Sequence, residues 1–180
     1  MSTIIVTKLD AARRQLHTAI DLWASEGDPV SIHALAYAAH QIIHDLNRKA
    51  KGPHLFLDMP GIKKEKRDEF VFMVKRDANF FKHADKRGKR EDPPHIEFTP
   101  ELNELFMLIA VMGLTYLKHQ LTEYENGFVL WYRVHHPDML DEAPGHDVQG
   151  TVDVNTWRAY KQLPKREFLE VFKSISTQGI

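Results

Sequence analysis

The stretch Leu105-Phe106-Met107-Leu108-Ile109-Ala110-Val111-Met112 decides the fold class of this chain. A helix built from it is apolar nearly all round, and such a helix lies at the centre of a helical bundle. Thr99 and Pro100 precede it and form a helix-start signal, because Thr is a favoured N-cap and Pro a favoured first helical residue. We therefore predict a central helix from Pro100 to about Thr122.

Helical spacing of apolar residues predicts three more long helices before this one. The first runs from about Thr7 to Glu26 and is ended by Gly27. The second runs from Pro29 to about Lys49, with Asp28 as its N-cap. The third covers roughly Lys63 to His83 and is followed by a polar loop.

The elements predicted after the central helix are shorter than those before it. Phe128 to Val134 is too short for its spacing to distinguish a helix from a strand. Residues 137–152 are expected to form a loop, followed by two short helices at Val154–Leu163 and Lys165–Ser176. The sequence contains no hairpin signal, glycine-rich phosphate loop or internal repeat. We therefore predict one all-α domain over residues 1–180, a mostly antiparallel bundle of four main helices with short C-terminal helices.

The composition is typical of a soluble globular protein, and with the absence of cysteine, of a signal-peptide pattern and of a long apolar run it leads us to expect a cytoplasmic location. Of the 180 residues, 43% are hydrophobic and 27% charged, and the formal net charge of -1 predicts no overall attraction to nucleic acid or membrane. The absence of cysteine excludes disulfides, thiolate metal sites and a Cys nucleophile. The longest apolar run, Leu105 to Leu114, is too short to span a bilayer, and the N-terminus has no signal-peptide pattern.

The segment Val74 to Arg87 combines cationic, acidic, amide, imidazole and aromatic side chains. If residues 76–83 are helical, seven positions rotate the helix by about 700°, so Arg76 and His83 share a face with Asn79 between them. An Arg can stabilise a developing phosphate charge and a His can transfer a proton, which together suit RNA cleavage. Flanking cations, Lys82 and Arg87 among them, could hold a phosphate backbone.

Arg76-Asp77-Ala78-Asn79-Phe80-Phe81-Lys82-His83 resembles the signature of HEPN domains, in which an Arg, usually followed by a polar residue, is separated from a His by four to six residues. The six residues between Arg76 and His83 fit the longest form of this signature. HEPN domains are all-helical, and many are RNases of toxin–antitoxin, CRISPR and phage-defence systems. The resemblance implies metal-independent RNA cleavage, with the Arg and His of two protomers meeting at a dimer interface. It implies that Arg76 and His83 are catalytic and that Asp77 is the polar neighbour. The stretch Asn79 to Ala84 is also similar to small bacterial helical proteins, which adds no function.

A non-catalytic interpretation of the same segment stays open. Phe80 and Phe81 would anchor the helix, and the charges would form a solvated helix end, since charge runs usually mark exposed surface. On this interpretation the chain is a non-enzymatic helical module that binds a protein partner.

His33, Tyr37, His40 and His44 form a second candidate site, on the second predicted helix. Their spacings keep them within roughly 60° of one another around the helix, with their centre about 130° from its apolar face. We therefore expect them to flank the core, next to the solvent-facing side. Such a position suits a contact between subunits, a pocket edge, a metal site or a pH-sensitive group.

His40 and His44 have the spacing of a helical zinc-chelating pair, but Gln41 stands where a zinc protease has its catalytic Glu. A protease is therefore not predicted. A metal would need a third ligand from another helix, for which His17, His83 and His119 are candidates. The alternative is that these histidines bond to backbone or water. We expect no cofactor, apart from the possibility of a metal ion at His40 and His44.

Three functions thus stay open from the sequence. The first is a HEPN-like protein that binds or cleaves RNA. The second is a non-enzymatic interaction module, and the third is a metal-binding bundle. The expected partners are RNA, another protein and a second copy of the chain, the homodimer being suggested by the partly polar second face of the second helix and the surplus of aromatic residues.

Overall fold

The computed structural model describes residues 2–55, 63–83, 93–137 and 159–177. Every regular element within these ranges is helical, which confirms the all-α bundle. The helices are α1 (Lys8–Ala24), α2 (Pro29–Lys49), α3 (Arg67–Lys82, preceded by a 3-10 turn at Lys64–Lys66), α4 (Leu102–Tyr116), α5 (Glu123–His135) and α6 (Lys165–Thr177). Residues 138–158, which hold most of the predicted loop and half of the predicted helix Val154–Leu163, lie outside the described residues.

Side-chain caps fix the starts of three helices. Thr7 and Asp10 bond reciprocally at the start of α1, with each side chain accepting from the other residue's backbone N–H. At the start of α2, Asp28 Oδ2 accepts from Ser31 N–H at 2.7 Å, which confirms the predicted N-cap. A second reciprocal pair, Thr122 and Glu125, begins α5. The capping groups satisfy backbone donors that the first turn of a helix cannot pair internally.

The central helix is shorter than predicted. α4 begins at Leu102, two residues after Pro100, and ends at Tyr116 rather than near Thr122. The chain turns at Lys118, whose φ of 59° is left-handed, and the His119 N–H bonds back to the Leu114 carbonyl. This position is usually filled by Gly. Because Lys118 is not a helix-stop signal, the helix end could not be predicted from the sequence.

The bundle contains antiparallel helices, as predicted, but two packed pairs run in the same direction. α1 and α5 form one such pair, because Arg13 bonds Glu125 near their starts and Trp23 packs on Trp131 towards their ends. Only residues 25–28 join α1 to α2, so these two helices are antiparallel neighbours. α2 and α4 run in the same direction, because His33 bonds Asn103 near their starts and Ile43 packs on Gly113 near their ends. The long segment between them, residues 50–101, returns the chain to the end of the bundle where α2 began.

The core lies between α1, α2, α4 and α5, with α6 packed on α5. The stretch from Phe106 to Val111 is buried throughout, which confirms the central position of α4. Gly113 permits the close approach of α2 and α4, because a Cβ at this position would overlap the Ile43 side chain. None of the helices in the described ranges is long and apolar enough to cross a lipid bilayer.

α3 is the helix least integrated into this core. Of its sixteen residues only Asp77 and Ala78 are buried. Phe72 and Met73, which are adjacent, stay 55% and 57% exposed. α3 rests on α2 through its C-terminal half, where the sequence placed its first candidate site.

Candidate functional site

The α2 histidines are buried, and the predicted boundary position is wrong. His33, Tyr37, His40 and His44 are each at most 5% exposed. The helical-wheel estimate was correct in placing these four residues on a different side of α2 from its apolar face. It could not show that α2 contacts α1, α3 and α4, so that both faces are covered.

His33 is held at one end of this buried row. Asn103 Nδ2 donates to the Pro29 carbonyl at 3.0 Å, so the amide oxygen of Asn103 faces the imidazole. His33 Nδ1 therefore donates to Asn103 Oδ1, at 2.8 Å. Phe81 and Phe106 meet the ring edge-on, with centroids 5.5 Å away in both cases. Burial lowers the pKa of His33, so the ring is neutral in an apolar setting.

His40 is the most isolated polar group of the site. It is 0% exposed, and neither ring nitrogen bonds to any described residue. Its neighbours are the rings of Tyr37, His44 and Phe106, with centroids 5.4–6.1 Å away. Burial, with a smaller contribution from His44, lowers the pKa of His40 to about 4. A buried polar group without a partner is rare and requires an explanation.

The row does not assemble a complete metal site from the described residues. His40 and His44 lie side by side on α2, with ring centroids 6.1 Å apart. Within the described ranges, no three His, Asp or Glu side chains converge closely enough to hold an ion. His17, one of the candidate third ligands, instead bonds Glu125 at 3.0 Å.

The Arg76 segment provides the second half of the site. Arg76 Nε donates to Asp77 Oδ1 at 2.7 Å, and Nη2 donates to the Glu97 carbonyl at 2.9 Å. Asp77 is buried, whereas the Arg76 side chain stays 47% exposed. The bond and the charge of Asp77 raise the pKa of Arg76 further, so its positive charge is secure.

His83 lies just beyond the helix. α3 ends at Lys82, and His83 has an extended backbone with φ -128° and ψ 117°. The two-turn argument for a shared face therefore does not extend to His83. The His83 N–H donates to the carbonyl of Asn79, and the His83 side chain is exposed. Asn79, which was predicted to lie between Arg76 and His83, is half-buried. Arg87, the last predicted binding residue, lies outside the described residues.

The end of α3, next to the first predicted site, packs against the α2 row. Lys82 Nζ lies 5.1 Å from the ring centre of Tyr37, a cation–π contact between α3 and the α2 row. Phe81, on the same turn of α3, packs edge-on against His33. Sequence spacing within each helix could not show that the two helices meet here.

Glu125 is a buried carboxylate with several hydrogen bonds that was not predicted from the sequence. Glu125 is fully buried and accepts bonds from Arg13, His17 and the backbone of Thr122, at 2.7–3.2 Å. Burial opposes its ionisation, but the bonds from His17 and Thr122 and the charge of Arg13 outweigh it and lower the pKa of Glu125. The signal was the Thr-x-x-Glu pattern at 122–125, which is a capping box.

Comparison with models of known protein families, with curated proteins and with solved structures finds no significant match to this chain. The functional assignment therefore rests on the geometry of the site.

Proposed function

We propose that this chain is a HEPN-like protein that binds RNA and cleaves it without a metal, with Arg76 and His83 as the reactive pair. The observation that carries the proposal is that Arg76 is both oriented and accessible. Its guanidinium is fixed by Asp77 and by the Glu97 carbonyl, yet about half of the side chain remains exposed. A guanidinium already oriented before a phosphate arrives stabilises the transition state without further reorganisation.

Arg76 keeps enough hydrogen-bonding capacity for this role. A guanidinium has five N–H donors. The bonds to Asp77 and Glu97 use Nε and one donor of Nη2, and Nη1 makes no bond to any described residue. The remaining donors can bind two oxygens of one phosphate in the fork geometry that Arg favours.

Residues at the end of α3 would supply the other groups that the reaction needs. His83 would take the proton of the attacking 2′-hydroxyl, and Arg76 would stabilise the charge on the phosphate oxygens. The new bond joins the 2′-oxygen to phosphorus, and the 5′-oxygen leaves with a proton from water. Lys82 is exposed beside His83 and offsets the negative end of the α3 dipole, which would otherwise repel a phosphate.

The test is cleavage of total cellular RNA in the presence of EDTA. Wild type is expected to cleave, whereas Arg76→Ala and His83→Ala lose about 10²–10⁴-fold in rate. Arg14→Ala and His119→Ala are the matched controls, because both side chains are exposed elsewhere on the bundle, and both should cleave like wild type. Cleavage by none of the proteins, or by all of them equally, would contradict the proposal.

RNA binding is measured separately, by fluorescence anisotropy of a labelled single strand. Arg76→Ala should bind more weakly than wild type at low salt, and the difference should shrink as salt rises. Arg76→Lys keeps the charge without the fork, so it should retain more binding than cleavage. Equal binding of wild type and Arg76→Ala at low salt would exclude Arg76 from the RNA site.

A second candidate function is a non-enzymatic module that pairs through α3. Phe72 and Met73 form an exposed apolar pair on this helix, and contiguous exposed apolar surface marks interaction sites. Light scattering over a concentration series should then show a dimer for wild type and a monomer for Phe72→Ser or Met73→Ser. Ile5→Ser, at the most exposed large apolar residue, is the matched control. A wild-type monomer in concentrated solution would exclude this candidate.

A further inference from the structure

A cavity of about 310 Å³ opens where the end of α1 meets the starts of α2, α4 and α6. Trp23, Glu104 and Lys165 are among the residues that line it. The other lining residues come from the α1–α2 junction and the approach to α4. The cavity is therefore separate from the α3 surface, and a ligand bound in it would touch none of the residues assigned to RNA.

The cavity already holds an alkylammonium group, which belongs to the protein itself. Lys165 Nζ lies 4.6 Å from the ring centre of Trp23 and 5.6 Å from that of Trp131. It also lies 3.4 Å from Glu104 Oε1. Two indole faces and a carboxylate around one ammonium are the elements of a cation-binding cage.

Glu104 is built into this cage rather than attached loosely to the surface. Its Oε1 accepts from the Trp23 indole N–H at 2.8 Å, and its Oε2 lies 3.2 Å from His136 Nε2. Its side chain is only 14% exposed, so its attraction for a cation is weakly screened by solvent. The geometry of the anionic side of the cage is thus fixed by two other side chains.

The charges that line the cavity are negative overall, even with the Lys165 ammonium in place. Glu26, Glu101 and Glu104 contribute three carboxylates, and Lys165 contributes one ammonium. Lys165 begins α6 and reaches the cage on a flexible stem, so its ammonium can be displaced without unfolding the bundle.

We propose that this cavity binds a small organic cation, a primary ammonium on a short alkyl chain, and that Lys165 occupies the cation position in the free protein. The ligand ammonium takes the place of Lys165 between Trp23 and Glu104. Its alkyl chain lies along the indole, and a second ammonium can reach Glu26 or Glu101. Because Lys165 competes for the same position, it weakens the apparent affinity for the ligand.

The test is a titration with 1,4-diaminobutane, followed by calorimetry and by the indole N–H resonance of Trp23, which Trp23→Phe assigns. Wild type should show weak saturable binding that shifts this resonance. Lys165→Met keeps the stem and removes the ammonium, and it should bind about tenfold more tightly, a factor within the range of one cation–π contact. Glu104→Gln should abolish binding. Lys8→Met, at the first residue of α1, is the matched control and should bind like wild type.

Three outcomes would overturn the proposal. The first is that neither wild type nor Lys165→Met binds the diamine. The second is that Glu104→Gln binds it as well as wild type does. The third is that potassium chloride at equal ionic strength shifts the Trp23 resonance as the diamine does. If circular dichroism shows that Lys165→Met is unfolded, Lys165→Gln replaces it under the same criteria.

Discussion

Replacing His40 by Leu is expected to stabilise this protein, although the residue lies in the middle of α2. His40 is fully buried, and neither ring nitrogen bonds to a described residue. Leaving a buried donor or acceptor unsatisfied costs about 1–3 kcal/mol. Leu is close to His in volume and carries no polar atom, so at neutral pH the substitution should raise the free energy of unfolding by that amount.

The pH dependence of the free energy of unfolding gives a second, independent prediction for His40. The pKa of His40 falls from 6.5 to about 4 on folding, so the unfolded chain binds the proton first as the pH drops. Wild type should therefore lose stability between about pH 6.5 and about pH 4, by about 2 kcal/mol at pH 5 from this residue alone. The groups that face His40 are Tyr37, His44 and Asp45 on α2 and, over Tyr37, Lys82 on α3.

Urea unfolding of wild type and His40→Leu at about pH 7.5, 6 and 5 measures both the gain in stability at neutral pH and its change with pH. The difference between the two proteins should favour Leu at neutral pH and widen by about 2 kcal/mol at pH 5. His119→Leu is the control, because His119 is exposed and its replacement should leave the pH dependence unchanged. A destabilised His40→Leu protein with a wild-type pH profile would refute the reasoning and show that the imidazole has a bonding partner in solution.

Three further substitutions test the packing of the bundle. Glu125→Ala should lower the free energy of unfolding by about 1–3 kcal/mol, because the Thr122 N–H, Arg13 and His17 lose their shared acceptor, and a urea midpoint within error of wild type would contradict this. The share of stability due to Glu125 should vanish as the pH falls through its lowered pKa. Gly113→Ala should cost about 1–3 kcal/mol, because the new Cβ overlaps Ile43, and unchanged thermal unfolding would show that α2 and α4 can separate freely. Asn103→Leu should cost about 1–3 kcal/mol, since His33 loses its partner, and calorimetry showing a gain in stability would exclude that bond.

The helices that could be predicted were those with local start and stop signals. α2 matches its prediction from Pro29 to Lys49, because the Asp28 cap and the residues that follow Lys49 act within a few positions. α5 had such a signal in Thr122 and Glu125, but the prediction extended the central helix to Thr122 and so concealed it. The left-handed turn at Lys118 has no local cause in residue type, and the sequence could not indicate it.

The candidate site depended on contacts between helices, which periodicity does not reveal. Spacing along α2 grouped His33, His40 and His44 correctly, because they share a face. Their burial could not be predicted, since it depends on how many helices surround α2. The partners of Arg76 show the same limit: Asp77 is adjacent in sequence, but the Glu97 carbonyl is brought to Arg76 by the path of the chain after α3.

The limited burial of α3 has an evolutionary consequence. Its exposed side chains, such as Phe72 and Met73, contribute little to the core, and substitutions at such positions usually change stability by less than about 0.5 kcal/mol. The bundle of α1, α2, α4 and α5 therefore tolerates many sequences on the α3 surface. Selection can alter the surface of this helix while the fold beneath it stays the same, so the α3 surface and the stability of the bundle can evolve almost independently.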